Sequence, residues 1–552
     1  MRSRGSPYFA EVGVDSIGME AGAMAQTSRE RARLSVALIV RNCEESLRES
    51  LESVHAIADE IVVLDTGSTD STPRIAAQRA TRLVSRAWDE DFSAARNACL
   101  SHVTGDWVLW LDAGESLSAE DARQIRDFLD QQAEITKAYA LLVKVPQQGG
   151  NIAGEQVARV RLVPNLPGIQ FRGRVRESVT KSLAENGIAV DGLPFRIQRG
   201  AREHDPQTKV RKARRNLLLA DLETNALGPN SRLLNCIGDA LQVIGDNAQA
   251  AAFFRQSLAL APRGSTEMLE AYYGLLTTFD SDPNNRQVQL AVCLQSLEIF
   301  PLDAQLLCAM GGYLQSQGRL DLATRAYQTA YQYGQVHPAT WHLDEIREIA
   351  AACYSLALQL QGQPEAGRQV LEEAVAAHPH SLRLHRQLID LHVKSGRRVE
   401  ALAAAKMVPP TMPHVEAYRS AVRGACLAHE QNWLAAKSYL ETAYQSGCRE
   451  SLCLRWLTIT LLSLGDVAAV RPIVDEWKHV EPANAEAQSF WSALHAPPTA
   501  EADLPPRETA PAPESIRDPA KRIVRIDEQP ADQPGTTVAK THAPLFTHSP
   551  AK

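Results

Sequence analysis

The chain has 552 residues, of which 44% are hydrophobic and 22% charged, so its composition is that of an ordinary globular protein with room for several domains. Its formal net charge of −7 excludes a global basic field that would attract nucleic acid or anionic lipid. Nine cysteines are spread along the chain without a Cys-x-x-Cys pair or the histidine spacing of a zinc site, which predicts reduced, mostly buried thiols.

The amino-terminal segment, residues 1–30, mixes Gly, Ser, Met and charged residues without a continuous apolar core. This pattern is typical of neither a secretory signal nor a transmembrane helix. We therefore expect a flexible leader and a cytoplasmic protein.

The first half of the chain alternates strand and helix patterns. Apolar runs predict strands at 34–40, 61–65, 108–111 and 138–145. Helical spacing covers 44–58, and Pro73 begins another helix that extends to residue 80. Two of the strands end in a carboxylate, at Asp65 and Asp112, and ligands of open α/β sheets gather at such ends. These patterns predict an α/β domain with a mixed, mostly parallel sheet within residues 31–225.

Small and aromatic residues recur at fixed intervals beyond residue 225. The same steps of 7, 5 and 4 residues separate the members of two sets, Gly238, Gly245, Ala250 and Phe254, and Gly311, Gly318, Ala323 and Tyr327. The spacing matches the tetratricopeptide repeat, in which small residues let two antiparallel helices approach while an aromatic fills the gap. We expect five to seven such units over residues 226–495, forming an all-α solenoid with a concave binding face.

The final segment, residues 496–552, carries 11 of the 30 prolines of the chain and few large apolar residues. Such a composition cannot form a packed core, so a disordered tail is predicted.

Two motifs connect the first half with a known family. DTGSTD at Asp65–Asp70 follows an apolar strand, and WDEDFSAARN occupies Trp88–Asn97. In this order they resemble the bacterial DTGSTD group of the family 2 glycosyltransferases, which have an A-type glycosyltransferase fold and often carry tetratricopeptide repeats. The resemblance covers residues 34 to about 225. It implies a nucleotide-sugar donor in the crevice at the carboxyl ends of the strands.

The resemblance also implies which residues bind the nucleotide sugar: Asn42, Glu44, Asp65, Gly67, Asp70 and Arg96. A carboxylate at Asp65 accepts hydrogen bonds from a base or ribose, and the turn after it brings backbone NH groups close to the ligand. Arg96 has a charged fork suited to phosphate oxygens or to holding a carboxylate. Simpler interpretations remain open, because Asp70 could cap a helix and Arg96 could pair with Asp89 or Asp91.

The segment from Asp112 to Glu115 departs from the family, whose members usually have Asp-Ala-Asp-Glu at this place. There, clustered carboxylates hold a divalent cation, Mg²⁺ or Mn²⁺, that neutralises the leaving nucleoside diphosphate. Gly114 replaces one carboxylate in this chain, so Asp112 and Glu115 are the remaining candidate ligands and a weaker metal site is expected. Asp112 is also a candidate catalytic residue or ribose contact. Gly114 alternatively serves a tight turn.

The segment from Gly168 to Val179 resembles a family segment that contains a His-Glu pair. Here the pair is Arg176 and Glu177. The resemblance makes Glu177 the candidate catalytic base that deprotonates an acceptor hydroxyl. The alternative is an ordinary ion pair between Glu177 and either Arg174 or Arg176.

Arg199 stands where the family commonly has a histidine, and the resemblance makes it a candidate donor-binding residue. It belongs to a set of eight basic residues between 196 and 215. This set could bind a diphosphate or an anionic lipid headgroup, or it could form a solvated helix face. Arg199 and Arg202 are further hypothesised to supply positive charge where a metal binds weakly.

The predicted function is transfer of a sugar, with inversion, from a nucleotide-sugar donor to a protein or glycan acceptor held by the repeats. The departures at Gly114, Arg176 and Arg199 leave an alternative, a catalytically degenerate domain that acts as a tetratricopeptide scaffold for protein interaction. No nucleic-acid partner is expected, because the basic segment lacks interleaved aromatic residues. No transmembrane segment is predicted, which leaves peripheral membrane contact open.

Overall fold

The computed structural model describes residues 31–145, 154–200, 205–280, 282–482 and 484–495. The predicted leader and the predicted tail lie outside these residues. Within them a strand-rich part precedes an array of helices, which confirms the predicted fold class of a mixed α/β sheet followed by an all-α solenoid. No helix in the described ranges is long and apolar enough to cross a membrane.

The strand-rich part alternates strands with short helices. Its strands are β1 (Leu34–Val40), β2 (Glu60–Asp65), β3 (Arg82–Ser85), β4 (Trp107–Trp110), β5 (Glu115–Leu117), β6 (Lys137–Val145), β7 (Glu155–Pro164) and β8 (Ala189–Arg199). Its helices are α1 (Glu44–Val54), α2 (Thr72–Ala77), α3 (Phe92–Leu100), α4 (Ala119–Gln131) and α5 (Thr180–Glu185).

These strands form one sheet in the order β3-β2-β1-β4-β7-β6-β8-β5. The first four strands are parallel neighbours, so their carboxyl ends lie along one edge. Strand β7 is antiparallel to β4, with Leu162 opposite Leu109. Continuing that register by one residue sets Arg161 beside Trp110, two residues before Asp112. The topology therefore brings an arginine of β7 to the end of β4.

Strand β1 shows how both faces of the sheet are covered. Leu34, Val36, Leu38 and Val40 pack into one core together with apolar residues of α1 and α4. Ala37 belongs to a second core with Trp110 and residues of α3 and α5. Because successive side chains of a strand point to opposite faces, a sheet covered on both faces requires a continuous apolar run.

The helical array begins after the sheet. Its helices are α6 (Pro206–Leu227), α7 (Ser231–Ile244), α8 (Asn247–Leu260), α9 (Thr266–Thr278), α10 (Arg286–Leu297), α11 (Ala304–Ser316), α12 (Leu320–Tyr333), α13 (Ile346–Leu360), α14 (Pro364–Ala377), α15 (Leu382–Lys394), α16 (Arg398–Met407), α17 (Val415–His429), α18 (Trp433–Gln445), α19 (Ser451–Ser463), α20 (Val467–Val480) and α21 (Ala485–His495). A short 3-10 helix, Pro283–Asn285, precedes α10. The domain boundary predicted at residue 225 falls within α6, and it stays a prediction.

Two different requirements explain the glycines of the repeat pattern. Gly238 of α7 lies against the ring of Phe254 of α8, and a Cβ at this position would be 2.6 Å from the ring. Gly245 ends α7 with a φ of 98°, a left-handed conformation that favours glycine. Gly311 of α11 lies against Tyr327 of α12 in the same way as Gly238 against Phe254. The glycines therefore permit both the close approach and the sharp turn that each helix pair needs.

The helical array also returns one segment to the sheet. Between α12 and α13, strand β9 (His342–Leu343) pairs antiparallel with Glu155 and Gln156 at the start of β7. Nearby, Arg159 Nη1 donates to the backbone oxygen of Ala339 at 2.8 Å. One strand of the sheet therefore comes from the repeat half of the chain.

The adjacent glycines of α11 provide a matched test of the helix packing. Gly311→Ala should destabilise the protein by about 1–3 kcal/mol, because the new methyl group would overlap the Tyr327 ring. Gly312 is exposed, and a Cβ there would lie 3.8 Å from the Tyr327 hydroxyl. Gly312→Ala should therefore leave stability unchanged or raise it by up to about 1 kcal/mol through helix propensity. Thermal unfolding measures both, and equal melting temperatures for the two variants would contradict this packing.

Candidate active site

Two residues predicted to bind the nucleotide connect the loop after β1 with the loop after β2. Asn42, after β1, accepts a hydrogen bond at Oδ1 from the backbone NH of Thr69 at 2.8 Å. Glu44 accepts one at Oε2 from the NH of Ser71 at 2.9 Å. Both side chains therefore hold the loop after β2 in place. The two loops meet at the carboxyl edge of the parallel strands.

Two aspartates stabilise the loop after β2 by accepting hydrogen bonds from its backbone. Asp65 is buried and accepts hydrogen bonds from the NH groups of Gly67 at 3.2 Å and Ser68 at 3.1 Å. Gly67 has a φ of 94°, which explains the requirement for glycine at this turn. Asp70 accepts a bond from the NH of Thr72 at 2.9 Å, at the start of α2. The predicted residues are thus neighbours, and their contact with a nucleotide stays a prediction.

Arg96 of α3 connects the two predicted catalytic carboxylates. Its Nε donates to Glu177 Oε1 at 2.6 Å, and its Nη2 donates to Asp112 Oδ1 at 2.8 Å. The guanidinium carbon lies 5.1 Å from the ring centroid of Trp110 and 5.2 Å from that of Phe171. Arg96 therefore pairs with the site carboxylates and not with Asp89 or Asp91, and Glu177 pairs with neither Arg174 nor Arg176.

Two further arginines complete the cluster. Arg161 of β7 donates from Nη2 to Glu115 Oε1 at 2.7 Å and to Asp112 Oδ2 at 3.1 Å. Arg199 at the end of β8 donates from Nε to Glu115 Oε1 at 3.3 Å, and its Nη2 lies 3.9 Å from Asp112 Oδ2. With Arg96 and Glu177, the site contains three guanidinium groups facing three carboxyl groups.

The two carboxyl groups of the Asp-Ala-Gly-Glu segment titrate differently. Burial raises the pKa of Asp112, but the charges of Arg161, Arg96 and Arg199 outweigh burial and hold the pKa well below its usual range. Burial raises the pKa of Glu115, an effect that Arg161 offsets in part and the negative charge of Asp112 reinforces. The site therefore holds one firmly ionised carboxylate beside one that accepts a proton more readily.

Gly114 serves the turn between these two groups. Its φ of 96° lies in the left-handed region, and its NH donates to Ser50 Oγ at 2.9 Å. The turn lets the NH of Glu115 donate to the Asp112 carbonyl at 2.9 Å, while Glu115 Oε2 accepts from the Asp112 NH at 3.0 Å. A conformational requirement thus accounts for glycine at the position where the family has a carboxylate.

The donor set does not fit a divalent cation. All four carboxyl oxygens of Asp112 and Glu115 already accept hydrogen bonds, three from arginines and one from backbone. In the described residues, no group of three or more His, Cys, Asp or Glu side chains is arranged to hold a metal ion. Mg²⁺ prefers octahedral oxygen coordination, and two carboxylates neutralised by arginines supply that poorly.

Arg161 is the site residue that the sequence interpretation missed. It lies in the apolar run EQVARVRLVP and is buried, although arginine is rarely buried without a partner. A charged residue inside an apolar strand pattern was therefore the sequence signal that could have indicated a buried ion pair at this position.

The remaining basic residues separate into different environments. Arg176 pairs with Asp239 and Glu270 of the helical array. Arg202 lies outside the described residues. On α6, Lys209, Arg211 and the following basic residues lie mainly on its exposed face, as expected for a solvated helix surface. Of the basic set, Arg199 is the member that the structure places in the carboxylate cluster.

Comparison with known proteins finds a matching segment in each half of the chain. Residues 35–140 match the family model of glycosyl transferase family 2, and residues 358–423 match a tetratricopeptide repeat model. A TPR repeat-containing protein of Synechococcus elongatus is 40% identical over 152 residues, which are 28% of this chain and 36% of that protein. The SPbeta prophage-derived glycosyltransferase SunS of Bacillus subtilis is 22% identical over 254 residues, or 45% of this chain and 58% of SunS.

An uncharacterized glycosyltransferase of Rickettsia typhi is 33% identical over 88 residues, 16% of this chain and 30% of that protein. The chain thus spans between about a third and three fifths of the length of these relatives. The matches support sugar transfer in general terms, and they leave donor, acceptor and stereochemistry open.

Arg161→Met tests the importance of the missed arginine for stability. Removal of one partner from a buried ion cluster leaves the Glu115 carboxylate with the longer ion pair to Arg199, at 3.3 Å, and should cost about 3–5 kcal/mol. Arg398 provides the control, because its 2.9 Å ion pair with Glu430 is roughly half exposed and should contribute at most about 1 kcal/mol. Denaturant unfolding of both variants measures the difference. An equal effect at the two positions would contradict the buried role of Arg161.

Proposed function

We propose that this chain, which carries a family 2 glycosyltransferase domain followed by tetratricopeptide repeats, transfers a sugar from a nucleotide-sugar donor to an acceptor with inversion at the anomeric carbon. The observation that carries the proposal is the convergence of Arg96, Asp112 and Glu177 at the carboxyl ends of parallel strands. Ligands of open α/β sheets bind at such ends. The two loops after β1 and β2 border the same edge.

In this reaction the loops would hold the nucleotide. Asp65 and Asp70 present carboxylates, and Gly67 opens the turn for a close approach of backbone to ligand. Asn42 and Glu44 keep the loops joined through Thr69 and Ser71. Asp112 would orient the donor next to Arg96.

Glu177 is the proposed base. In a direct displacement, the acceptor hydroxyl transfers its proton to the Glu177 carboxylate while its oxygen forms a bond to the anomeric carbon. The bond between that carbon and the diphosphate oxygen breaks, and the nucleoside diphosphate leaves with the electron pair. Arg96 lies 2.6 Å from Glu177 and holds its carboxylate toward the site.

Arginine is proposed to supply the positive charge opposite the leaving diphosphate. Arg96, Arg161 and Arg199 surround the carboxylates that would otherwise serve a metal ion. Guanidinium groups bind phosphate oxygens with a fixed planar fork and keep their charge at all physiological pH values. The sequence-based hypothesis also assigns Arg202 to this source of positive charge.

The helical repeats are proposed to hold the acceptor or a partner protein on their concave face. A protein or a glycan remains the candidate acceptor. Peripheral membrane contact and a cytoplasmic location also remain proposals.

One observation favours a second candidate, the catalytically degenerate scaffold. The carboxylates of Asp112 and Glu115 are fully engaged by hydrogen bonds within the protein, so the cluster could serve stability alone. The same hydrogen bonds that hold the side chains of an active site in place can also stabilise a site that binds no substrate.

Binding of nucleoside diphosphates separates the two candidates and tests the role of metal. UDP, GDP and dTDP titrated into the protein by calorimetry should yield one preferred ligand. Its affinity should be the same with Mn²⁺ and with excess chelator, because arginine carries the charge. Loss of all binding on removal of divalent cations would contradict the arginine hypothesis. Absence of binding under both conditions would favour the scaffold.

Glu177→Gln and Asp112→Ala test the site assignment. Hydrolysis or transfer of the preferred sugar nucleotide should fall by about 10²–10⁴-fold for Glu177→Gln, the usual contribution of a general base. Asp112→Ala should also lower the rate, because Arg96 loses a partner. The control is Glu185→Gln on α5, whose ion pair with Arg172 is exposed. Unchanged rates in both site variants would remove the assignment.

A further inference from the structure

Helices beyond the sheet anchor the segment that carries Glu177. The backbone NH of Arg174 donates to Glu223 Oε2 of α6 at 2.6 Å. Arg232 of α7 donates to the backbone oxygen of Val175 and also pairs with Glu223. The Glu223 side chain is 4% exposed. A charge-assisted pair with a buried carboxylate therefore holds the backbone of Arg174 and Val175, just before the candidate base.

Apolar packing supports the same clamp. Val175 is buried in a cluster with Leu219 of α6 and with Leu233 and Cys236 of α7. On the other side of the segment, the NH of Phe92 in α3 donates to the Arg174 carbonyl at 3.0 Å. The segment is thus held between the sheet half and the repeat half.

Arg176, the residue before Glu177, is held by two acids of the array. Its guanidinium pairs with Asp239 of α7, and its Nη1 donates to Glu270 Oε2 of α9 at 3.1 Å. Arg176 has a φ of 50°, in the left-handed region that non-glycine residues seldom adopt. Such a conformation persists where the surroundings constrain it from several sides, and the two acids provide part of that constraint.

We propose that Asp239 and Glu270 are positioning residues of the sugar-transfer site. By holding Arg176, they set the backbone from which Glu177 reaches Arg96. The inference rests on the proposed function and extends it, because it assigns the first helix pairs of the repeat array to the transfer site itself. Neither acid is a catalytic residue, since each acts through Arg176.

A purely structural role makes a different prediction. If these ion pairs only hold the two halves of the protein together, their loss lowers stability and leaves kcat unchanged. If they position Glu177, their loss lowers kcat even where the protein remains fully folded. The affinity for nucleoside diphosphate stays the same in either case. Asn42, Asp65 and Asp70 lie on the loops after β1 and β2. Arg96 keeps its 2.8 Å pair with Asp112 when Glu177 is displaced.

The pH profile offers a readout specific to Asp239. Partial burial raises the pKa of Asp239, whose side chain is 46% exposed, to about 6, with Arg176 opposing the shift and Glu270 reinforcing it. Cys236 lies one turn away on the same helix, and Arg159 of β7 faces Glu270. As the pH falls through about 6, Asp239 gains a proton and Arg176 loses a charged partner. In the wild type, kcat should decline over this range, and Asp239→Asn should lack that inflection.

The experiment compares the full-length wild type with the double variant Asp239→Asn/Glu270→Gln, and Glu185→Gln serves as control. Hydrolysis of UDP-glucose, UDP-N-acetylglucosamine and GDP-mannose gives kcat and KM, and hydrogen–deuterium exchange follows residues 172–179. The double variant should lose about 10- to 100-fold in kcat, the usual effect of a small misplacement, with unchanged nucleoside diphosphate affinity. Its amides at 172–179 should exchange faster than in the wild type and the control.

An unchanged kcat in an active enzyme overturns the proposal, whatever the exchange data show. If the wild type hydrolyses none of the three donors and binds none of UDP, GDP and dTDP, the proposed function fails separately. The exchange measurement then decides alone whether Asp239 and Glu270 hold the segment 172–179, because faster exchange in the double variant supports that hold and unchanged exchange overturns it.

Discussion

The bridge from Arg96 to Asp112 and Glu177 is the interaction on which the site depends. Arg96 is buried between the rings of Trp110 and Phe171, where an unpaired charge would be costly. The two carboxylates therefore stabilise the guanidinium in this position. The bridge joins the end of β4 to the segment after β7, and β4 and β7 are antiparallel neighbours in the sheet.

The WDEDFSAARN motif acquires a physical meaning from this bridge. Asp91 caps α3 by accepting a hydrogen bond from the NH of Ala94, which orients the helix that carries Arg96. Asn97 exchanges two hydrogen bonds with the backbone of Phe171, at 2.8 and 2.9 Å. The motif therefore fixes both the arginine and one of the rings against which it lies. Nucleotide binding is one interpretation of the motif. The structure adds a second role, which is to hold Arg96 and Phe171 in place.

Local patterns in the sequence predicted the parts that depend on local chemistry. The apolar runs of β1, β2 and β4 identified the parallel core, and the glycine spacing identified the helix pairs, because burial on both faces and close helix contact leave direct marks on composition. Strands β7 and β8 were missed because charged or turn-forming residues such as Arg161, Gly192 and Pro194 interrupt them. Arg161 reaches Asp112 through the register between two strands, which no motif records.

Strand β9 was beyond prediction for a different reason. It is two residues long, and the hydrogen bond between the side chains of Gln156 and His342 joins positions 186 residues apart. Its extended conformation depends on pairing with β7 and not on a local sequence pattern. The repeat pattern on either side predicted continuous helix pairs. The segment between α12 and α13 instead contributes a strand to the sheet.

This strand also determines the order in which the protein can be completed during synthesis. The ribosome makes β1 to β8 first, yet the sheet acquires β9 only after six helices of the array following α6 have been made. Until then, the start of β7 presents unpaired backbone groups to its surroundings, and such edges readily pair with other chains. The amino-terminal half thus passes through a stage in which its own edge is open, and the growing repeat array ends that stage by covering it.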